Sequence, residues 1–295
     1  MAEPANQVFA PVSLADLFAQ WARRPEAVLF SCGTKSLRTQ RERQFALPQC
    51  IISLEKIAEL KRISRTERQL EFGAGVKLSK ILSLGHIVPE VLRSFIALCD
   101  NPALHNIETI GGAIFCGPAA GEAGETGARP PVESSFLAVR GALYALEASY
   151  ELRTASGSRW ISAARYAAAQ KSLLLKPGEI LTRIRVPLEK WDWVLCRRLP
   201  AYDKQKREEG FAAFLARIQN DTLGDMRLVL SGADLLSVPA GERPLNGKKL
   251  PLSAEDAGGY LGLWEEILSG AEETTPFLRQ RYLNFIREAL SNFTE

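Results

Sequence analysis

Apolar residues recur with a helical period near the start of the chain. Four of them lie at three- and four-residue spacing: Leu14, Leu17, Phe18 and Trp21. Ser13 precedes this run and Asp16 follows three residues later, a pair typical of a helix N-terminus. The short apolar run 27–30 comes next. The pattern therefore predicts a helix followed by a buried strand.

The remainder of the N-terminal half alternates between short strands and short helices. Apolar segments predict three strands, at 50–53, 60–63 and 69–72. Helical spacing predicts two helices, at 78–82 and 88–99. The stretch 106–131 is dense in glycine and proline, which predicts a long irregular loop of the kind that often carries function.

A change of pattern near 171–177 indicates a domain boundary. Before it, 138–153 has a β pattern and 155–158 predicts a hairpin turn. Beyond it, alternation predicts strands at 180–186, 195–199 and 211–218, and the segment 254–293 has helical spacing. We therefore expect an α+β domain followed by a smaller domain of antiparallel strands and helices.

Composition and charge exclude several classes of protein. The 295 residues include 37 Lys and Arg against 34 Asp and Glu, a net charge of +3. This small excess does not favour nucleic acid or an anionic membrane as a partner. The start of the chain lacks the pattern of a secretory signal, and no window approaches the ~18 apolar residues of a membrane span. We therefore expect a soluble cytoplasmic protein.

Cysteine and histidine are too sparse to indicate a metal centre or a catalytic triad. The five cysteines are widely separated, without a C-x-x-C pair, and there are only two histidines. Structural zinc and iron–sulfur sites need closely spaced thiolates. We therefore predict no metal site and no catalytic side chain, and expect any chemistry to belong to a bound cofactor.

Two short loops combine glycine with hydroxyl residues, at 31–34 and 109–112. Glycine lets a backbone come close to a ligand and offer its N–H groups, so the pair could form a nest for a pyrophosphate. Short glycine loops are also common simply as turns. The pattern alone leaves both interpretations open.

The order of the segments resembles a known family, the FAD-binding subunit of the molybdenum hydroxylases, which include xanthine dehydrogenase and aerobic carbon monoxide dehydrogenase. Six landmarks appear in order, at 11–17, 28–34, 52–60, 72–78, 105–112 and 176–187. The most specific is His105-Asn-Ile-Glu-Thr-Ile-Gly-Gly112, which is similar to the family's Arg-Asn-x-x-Thr-x-Gly-Gly-Asn. The resemblance covers nearly the whole chain.

This resemblance implies a fold of the vanillyl-alcohol-oxidase type, with two α/β subdomains that hold FAD. A C-terminal domain of antiparallel strands and helices follows. We accordingly predict an FAD-binding domain at 1–172, with a subdomain boundary near 55–60, and a C-terminal domain at 173–295.

The resemblance also implies where the cofactor lies. In the family, two loops supply backbone amides to the FAD pyrophosphate. The matching positions in this chain are Ser31, Cys32, Gly33, Thr34, Lys35 and Ser36 in the first loop, and Thr109, Ile110, Gly111, Gly112 and Ala113 in the second.

The implied function is electron transfer within a heteromeric complex. The flavin receives electrons from iron–sulfur clusters of a partner subunit and passes them to NAD or another acceptor, while a third subunit carries the molybdopterin centre. The chain departs from the family pattern at Lys35, Ala113 and 117–122. These departures keep open an alternative, a flavin-free relative that acts as a structural or assembly subunit. A stand-alone flavin oxidase is disfavoured because no candidate base or attachment histidine stands out.

Overall fold

The computed structural model describes residues 6–34, 47–99, 102–115, 134–168, 175–200 and 209–294. Within them, helices and strands are mixed along the chain, as the α+β prediction requires. No helix in these ranges is long and apolar enough to cross a membrane.

The helices in the described ranges are, in chain order, α1 (Leu14–Arg23), α2 (Leu78–Ser83), α3 (Glu90–Ala97), α4 (Ile110–Phe115), α5 (Ser134–Ala145), α6 (Ala163–Ala168), α7 (Ala254–Gly270) and α8 (Pro276–Ser291). The strands are β1 (Gln7–Phe9), β2 (Val28–Phe30), β3 (Cys50–Ser53), β4 (Ile63–Arg65), β5 (Gln69–Gly73), β6 (Ser149–Arg153), β7 (Ser158–Ser162), β8 (Ile180–Pro187), β9 (Trp193–Leu199), β10 (Gly210–Gln219), β11 (Thr222–Ser231) and β12 (Leu235–Ser237).

The chain divides into two compact units whose segments interleave. The first unit comprises Met1–Gly85, Asn101–Ala120 and Glu147–Leu188, and the second comprises His86–Asp100, Gly121–Leu146 and Glu189–Glu295. The division of the chain into continuous domains at 1–172 and 173–295 remains a prediction from the sequence.

The first unit contains a parallel and an antiparallel sheet. β1, β3 and β2 form a parallel sheet in that order, and β4-β5-β8-β6-β7 form an antiparallel one. The predicted N-cap of α1 is confirmed, because the Ser13 Oγ accepts the Asp16 N–H at 3.1 Å. The helix packs its apolar stripe onto the parallel sheet.

A hydrophobic cluster lies beneath the parallel sheet, and we call it the first-unit core. Its buried members are Leu14, Leu17, Phe18, Ala27, Ile52, Ile57, Leu60 and Ile180. Leu29 of β2 and Ala74, which directly follows β5, pack against it. The core therefore joins the parallel sheet to the end of a strand in the antiparallel sheet.

The second unit is built around the antiparallel sheet β12-β11-β10-β9. The helices α7 and α8 share a buried cluster with this sheet, centred on Trp264 and Phe214. Contacts also reach the sheet from α3 and α5: Phe95 packs against Phe211, and the Ser231 Oγ donates to the Leu137 carbonyl oxygen at 2.7 Å. The predicted C-terminal strands at 195–199 and 211–218 are confirmed as a paired hairpin.

Three local predictions are wrong. The segment 138–145 is helical, as part of α5. Nine of the twelve residues of α5 are buried, so its sequence does not alternate between an apolar and a polar face with a helical period. The first part of 60–63 lies in a 3-10 turn, Ala58–Lys61, and β4 begins only at Ile63. The predicted loop 106–131 contains α4, and its remainder beyond 115 lies outside the described residues.

Candidate functional site

The first predicted loop follows β2 at the carboxyl end of the parallel sheet. β2 pairs with β3 as far as Phe30, its last residue. The Leu54 N–H, directly after β3, donates to the Phe30 carbonyl oxygen at 2.8 Å. Ligands of open α/β sheets bind beyond the carboxyl ends of the strands. Ser31 to Thr34 therefore lie where such a ligand would bind, while Lys35 and Ser36 lie outside the described residues.

The backbone of this loop offers hydrogen-bond donors. Within the part of the chain that the structure describes, no acceptor takes the N–H of Cys32 or Gly33. The Thr34 side chain is buried, and its Oγ1 lies 3.7 Å from the Cys32 Sγ. Because an anion needs N–H groups that are not already bonded, the first loop can hold one.

The backbone conformation and the packing of the first loop both require glycine at position 33. Its φ is +70°, a left-handed conformation that favours glycine. A Cβ at this position would lie 2.2 Å from the Phe30 Cζ, so the phenyl ring occupies the space a side chain would need. Gly33 is therefore needed to make room for the Phe30 ring, and not only to let a phosphate approach the backbone.

The second predicted loop forms the first turn of α4 together with the residue before it. The Ile110 N–H donates to the Val76 carbonyl oxygen and the Gly111 N–H to that of Ala74, both at 2.9 Å. The Ala113 N–H donates to the Thr109 carbonyl oxygen at 2.9 Å. Most of the donors of this loop are thus bonded within the chain.

Of the other donors of this loop, the Gly112 N–H bonds to the Thr109 Oγ1 at 3.1 Å. This is a side-chain capping bond, so a phosphate oxygen could take the place of the hydroxyl without opening the helix. Thr109 and Gly112 are therefore the residues of this loop that can hold a phosphate.

The two glycines of this loop differ in their surroundings. A Cβ on Gly111 would lie 2.7 Å from the carbonyl oxygen of Ala74, so this glycine allows two backbones to pack. Among the described residues, a Cβ on Gly112 would meet only the Thr109 Oγ1, at 3.1 Å. Gly112 is therefore the position at which absence of a side chain leaves room for a ligand.

Both loops are attached to the first-unit core. Leu29, two residues before Ser31, packs against that core, and so does Ala74, whose carbonyl oxygen accepts the Gly111 N–H. The sequence analysis missed the roles of Phe30 and Ala74. The motif Gly73-x-Gly75 does not reveal the role of Ala74, since both of its glycines make room for the backbone of Leu60.

A buried histidine precedes the second loop. His105 is 4% exposed, and no described residue forms a hydrogen bond with its Nε2. Burial lowers the pKa of His105 from its usual 6.5, because the charged form loses its solvation. The imidazole is therefore held neutral beside the loop.

Another polar feature of the first unit is a cavity of about 520 Å³ over the antiparallel sheet. Its buried carboxylate, Glu151, accepts two hydrogen bonds from Arg183 and one from the Thr182 hydroxyl. The hydrogen bonds from Arg183 lower the pKa of Glu151 to about 2, against the opposing effect of burial. None of the predicted site residues lines this cavity, so it is distinct from the two loops.

These residues fit the diphosphate of FAD. The first loop presents N–H groups that no described residue uses, and the second presents a capping bond that a phosphate can replace. Among the described residues, no group of three or more His, Cys, Asp or Glu side chains could hold a metal ion. The assignment of individual side chains to the cofactor stays a prediction.

The chain is similar to known oxidoreductases. It is 25% identical over 253 residues to the carbon monoxide dehydrogenase medium chain of Afipia carboxidovorans, covering 85% of this chain and 77% of that one. It is 25% identical over 279 residues to aldehyde oxidase 2 of Cavia porcellus, covering 89% of this chain but only 20% of the relative. The chain thus spans about a fifth of that enzyme.

Its fold is similar to that of a solved structure of carbon monoxide dehydrogenase from Hydrogenophaga pseudoflava. The TM-score is 0.73 at 21% sequence identity, and the alignment covers 99% of this chain and 97% of that one. Residues 4–189 match the family described as FAD binding domain in molybdopterin dehydrogenase. The match confirms the family and the cofactor that the sequence motifs predict: the chain belongs to the family of FAD binding domains of molybdopterin dehydrogenases.

Proposed function

We propose that this chain is the FAD-binding, electron-transfer subunit of a molybdenum hydroxylase-like oxidoreductase. The observation that carries the proposal is the first loop, because its N–H groups that no described residue accepts lie at the carboxyl end of a parallel sheet within the matched region. The fold we expect around the cofactor is the vanillyl-alcohol-oxidase type, with the two sheets of the first unit as its subdomains.

The residues of this chain bind and orient the cofactor. Cys32 and Gly33 would hold the diphosphate through their backbone N–H groups, together with the Gly112 N–H and the Thr109 hydroxyl. When bound, the flavin supplies the redox chemistry, accepting and releasing electrons. None of the described side chains is assigned a role as a catalytic acid or base.

The electrons come from iron–sulfur clusters of a partner subunit and leave to NAD or another acceptor. Another subunit carries the molybdopterin centre, and the complex is cytoplasmic. Support comes from the relatives, since one is named a medium chain of carbon monoxide dehydrogenase and another is an aldehyde oxidase several times longer than this chain.

Reconstitution with FAD tests the binding step, and copurification tests the assembly. We expect the purified full chain to take up one FAD and to show the flavin absorption bands. We also expect the native protein to elute with iron–sulfur and molybdopterin subunits. Elution at the monomer mass from cell extract, at every salt concentration, would contradict the assembly.

A second candidate function is a flavin-free structural or assembly subunit. The observation that favours it is the second loop, where the N–H groups of Ile110, Gly111 and Ala113 are bonded within the chain. A colourless protein that takes up no FAD, even together with its partners, would select this candidate over the first.

A further inference from the structure

Lys77 lies opposite Thr109 in an antiparallel bridge. The bridge pairs the two residues directly, and two backbone hydrogen bonds close it: Leu78 N–H to the Glu108 oxygen at 3.0 Å, and Ile110 N–H to the Val76 oxygen at 2.9 Å. Gly111 adds a third bond, to Ala74. The backbone position of Lys77 relative to the second loop is therefore well determined.

The side chains of a directly opposed antiparallel pair leave the backbone on the same face, with Cβ atoms about 5 Å apart. The Thr109 side chain on this face caps the Gly112 N–H. The Lys77 side chain therefore starts beside the same turn. Its four-carbon stem is long enough to bring the ammonium group to a ligand held by Thr109 and Gly112.

The charge of Lys77 is not neutralised by the described part of the chain. No carboxylate there pairs with it, whereas Lys61 pairs with Glu55 at 2.6 Å and Lys248 with Asp256 at 2.8 Å. Lys77 is also half-buried as a residue, whereas Lys80 is exposed. A half-buried cation without a carboxylate favours an anionic ligand nearby.

We propose that Lys77 is a diphosphate-binding residue, whose ammonium pairs with the anion held by Thr109 and Gly112. The inference rests on the proposed function, since FAD supplies that diphosphate. It assigns a positive charge to the second loop, where the family's asparagine is replaced by Ala113. Lys77 thereby offsets the donor that this replacement removes.

The test compares Lys77→Gln with Lys80→Gln in the full chain. Lys80 is an exposed lysine of α2, the helix that begins directly after Lys77, and it serves as the control. Dissociation constants for FAD are measured by calorimetry at low and moderate salt. We expect Lys77→Gln to weaken FAD binding at least tenfold and to reduce its salt dependence, while Lys80→Gln changes the constant less than twofold and Lys77→Arg less than threefold.

Inorganic pyrophosphate is the second probe, and it separates this inference from the proposed function. Binding of pyrophosphate that is weakened by Lys77→Gln supports the inference even if the protein takes up no FAD. FAD binding that is unchanged in Lys77→Gln, or weakened equally in Lys80→Gln, overturns the inference and leaves the proposed function standing. Failure of the unaltered protein to bind either probe overturns both.

Discussion

The two glycine loops of the first unit resemble each other in sequence but differ in their hydrogen bonds. In the first, the N–H groups of Cys32 and Gly33 are not used by any described residue. In the second, the N–H groups of Ile110 and Gly111 bond to the chain around Ala74. A glycine in a ligand-binding motif can therefore serve the ligand, the fold, or both.

The glycines of the two loops differ in what an added side chain would displace. At Gly111 it would displace backbone, at Gly33 a phenyl ring, and at Gly112 only a hydroxyl group. Substitution of Gly111 or Gly33 should therefore act mainly on the stability of the fold, whereas substitution of Gly112 should act mainly on cofactor binding.

The largest effect is expected from Gly111→Val. The new Cβ would lie 2.7 Å from the Ala74 carbonyl oxygen, which is backbone and cannot rotate away. Overpacking of this kind should lower the free energy of unfolding by about 3 kcal/mol, measured by urea denaturation. Gly112→Ala is the control and should cost less than about 1 kcal/mol. Equal losses in the two variants would show that Gly111 has no special packing role.

A smaller loss of stability is expected from Gly33→Ala, about 2 kcal/mol, because the residue has a positive φ and faces the Phe30 ring. A double-mutant cycle with Phe30→Ala separates the two causes. Removing the ring should recover the part of the cost due to the clash and leave the part due to φ. Strict additivity of the two substitutions would mean that the ring does not restrict Gly33.

Gly112→Val should act on the cofactor. Its side chain would occupy the place where a phosphate oxygen replaces the Thr109 hydroxyl, so FAD binding should weaken at least tenfold, or about 1.4 kcal/mol. Unfolding of the second unit should be unaffected. Calorimetry with FAD measures the first effect and hydrogen exchange the second. Unaltered affinity would place the diphosphate elsewhere.

The stability of the first unit should depend on pH through His105. Since burial lowers the folded pKa of His105 below 6.5, the unfolded chain takes up the proton first as the pH falls. This contribution to stability is complete above pH 6.5 and is lost as the pH falls from there toward the lowered pKa. His105→Gln should therefore reduce the loss of stability between pH 7 and 5, followed by urea denaturation. An unchanged pH profile would show that His105 is not the residue responsible.

The smallest effect is expected from Ala113→Asn, which restores the amide of the family motif. One added hydrogen bond should tighten FAD binding about threefold. The measurement is calorimetry on a protein already shown to bind FAD. Affinity that stays the same or falls would mean that the second loop is not placed against the cofactor.

Elements with a regular pattern of apolar and polar residues along their own length could be predicted from the sequence. Helix α1 follows from Ser13 and its apolar stripe, and β8 follows from clean alternation along its length. Helix α5 was not predicted, because it is buried on most sides and its sequence has no polar face. Strand β11 was also missed, although it pairs along the whole of β10.

The candidate site could be predicted only as a motif. Spacing and glycine content located both loops, but they do not say which N–H groups the chain uses for itself. The bonds to Ala74 and Val76 arise from segments about 35 residues away in sequence. The contact of Phe30 with Gly33 depends on the turn geometry, which the residue types alone do not determine.

The central claim is that the first unit holds FAD between its two glycine loops. The most direct test is the flavin content of the full chain after incubation with FAD and gel filtration, read from the visible absorption spectrum. The account predicts one FAD per chain for the unaltered protein and almost none for Gly112→Val, at equal folded fraction. A chain that retains no flavin, alone or with its copurified partners, or a Gly112→Val variant that retains it fully, would contradict the claim.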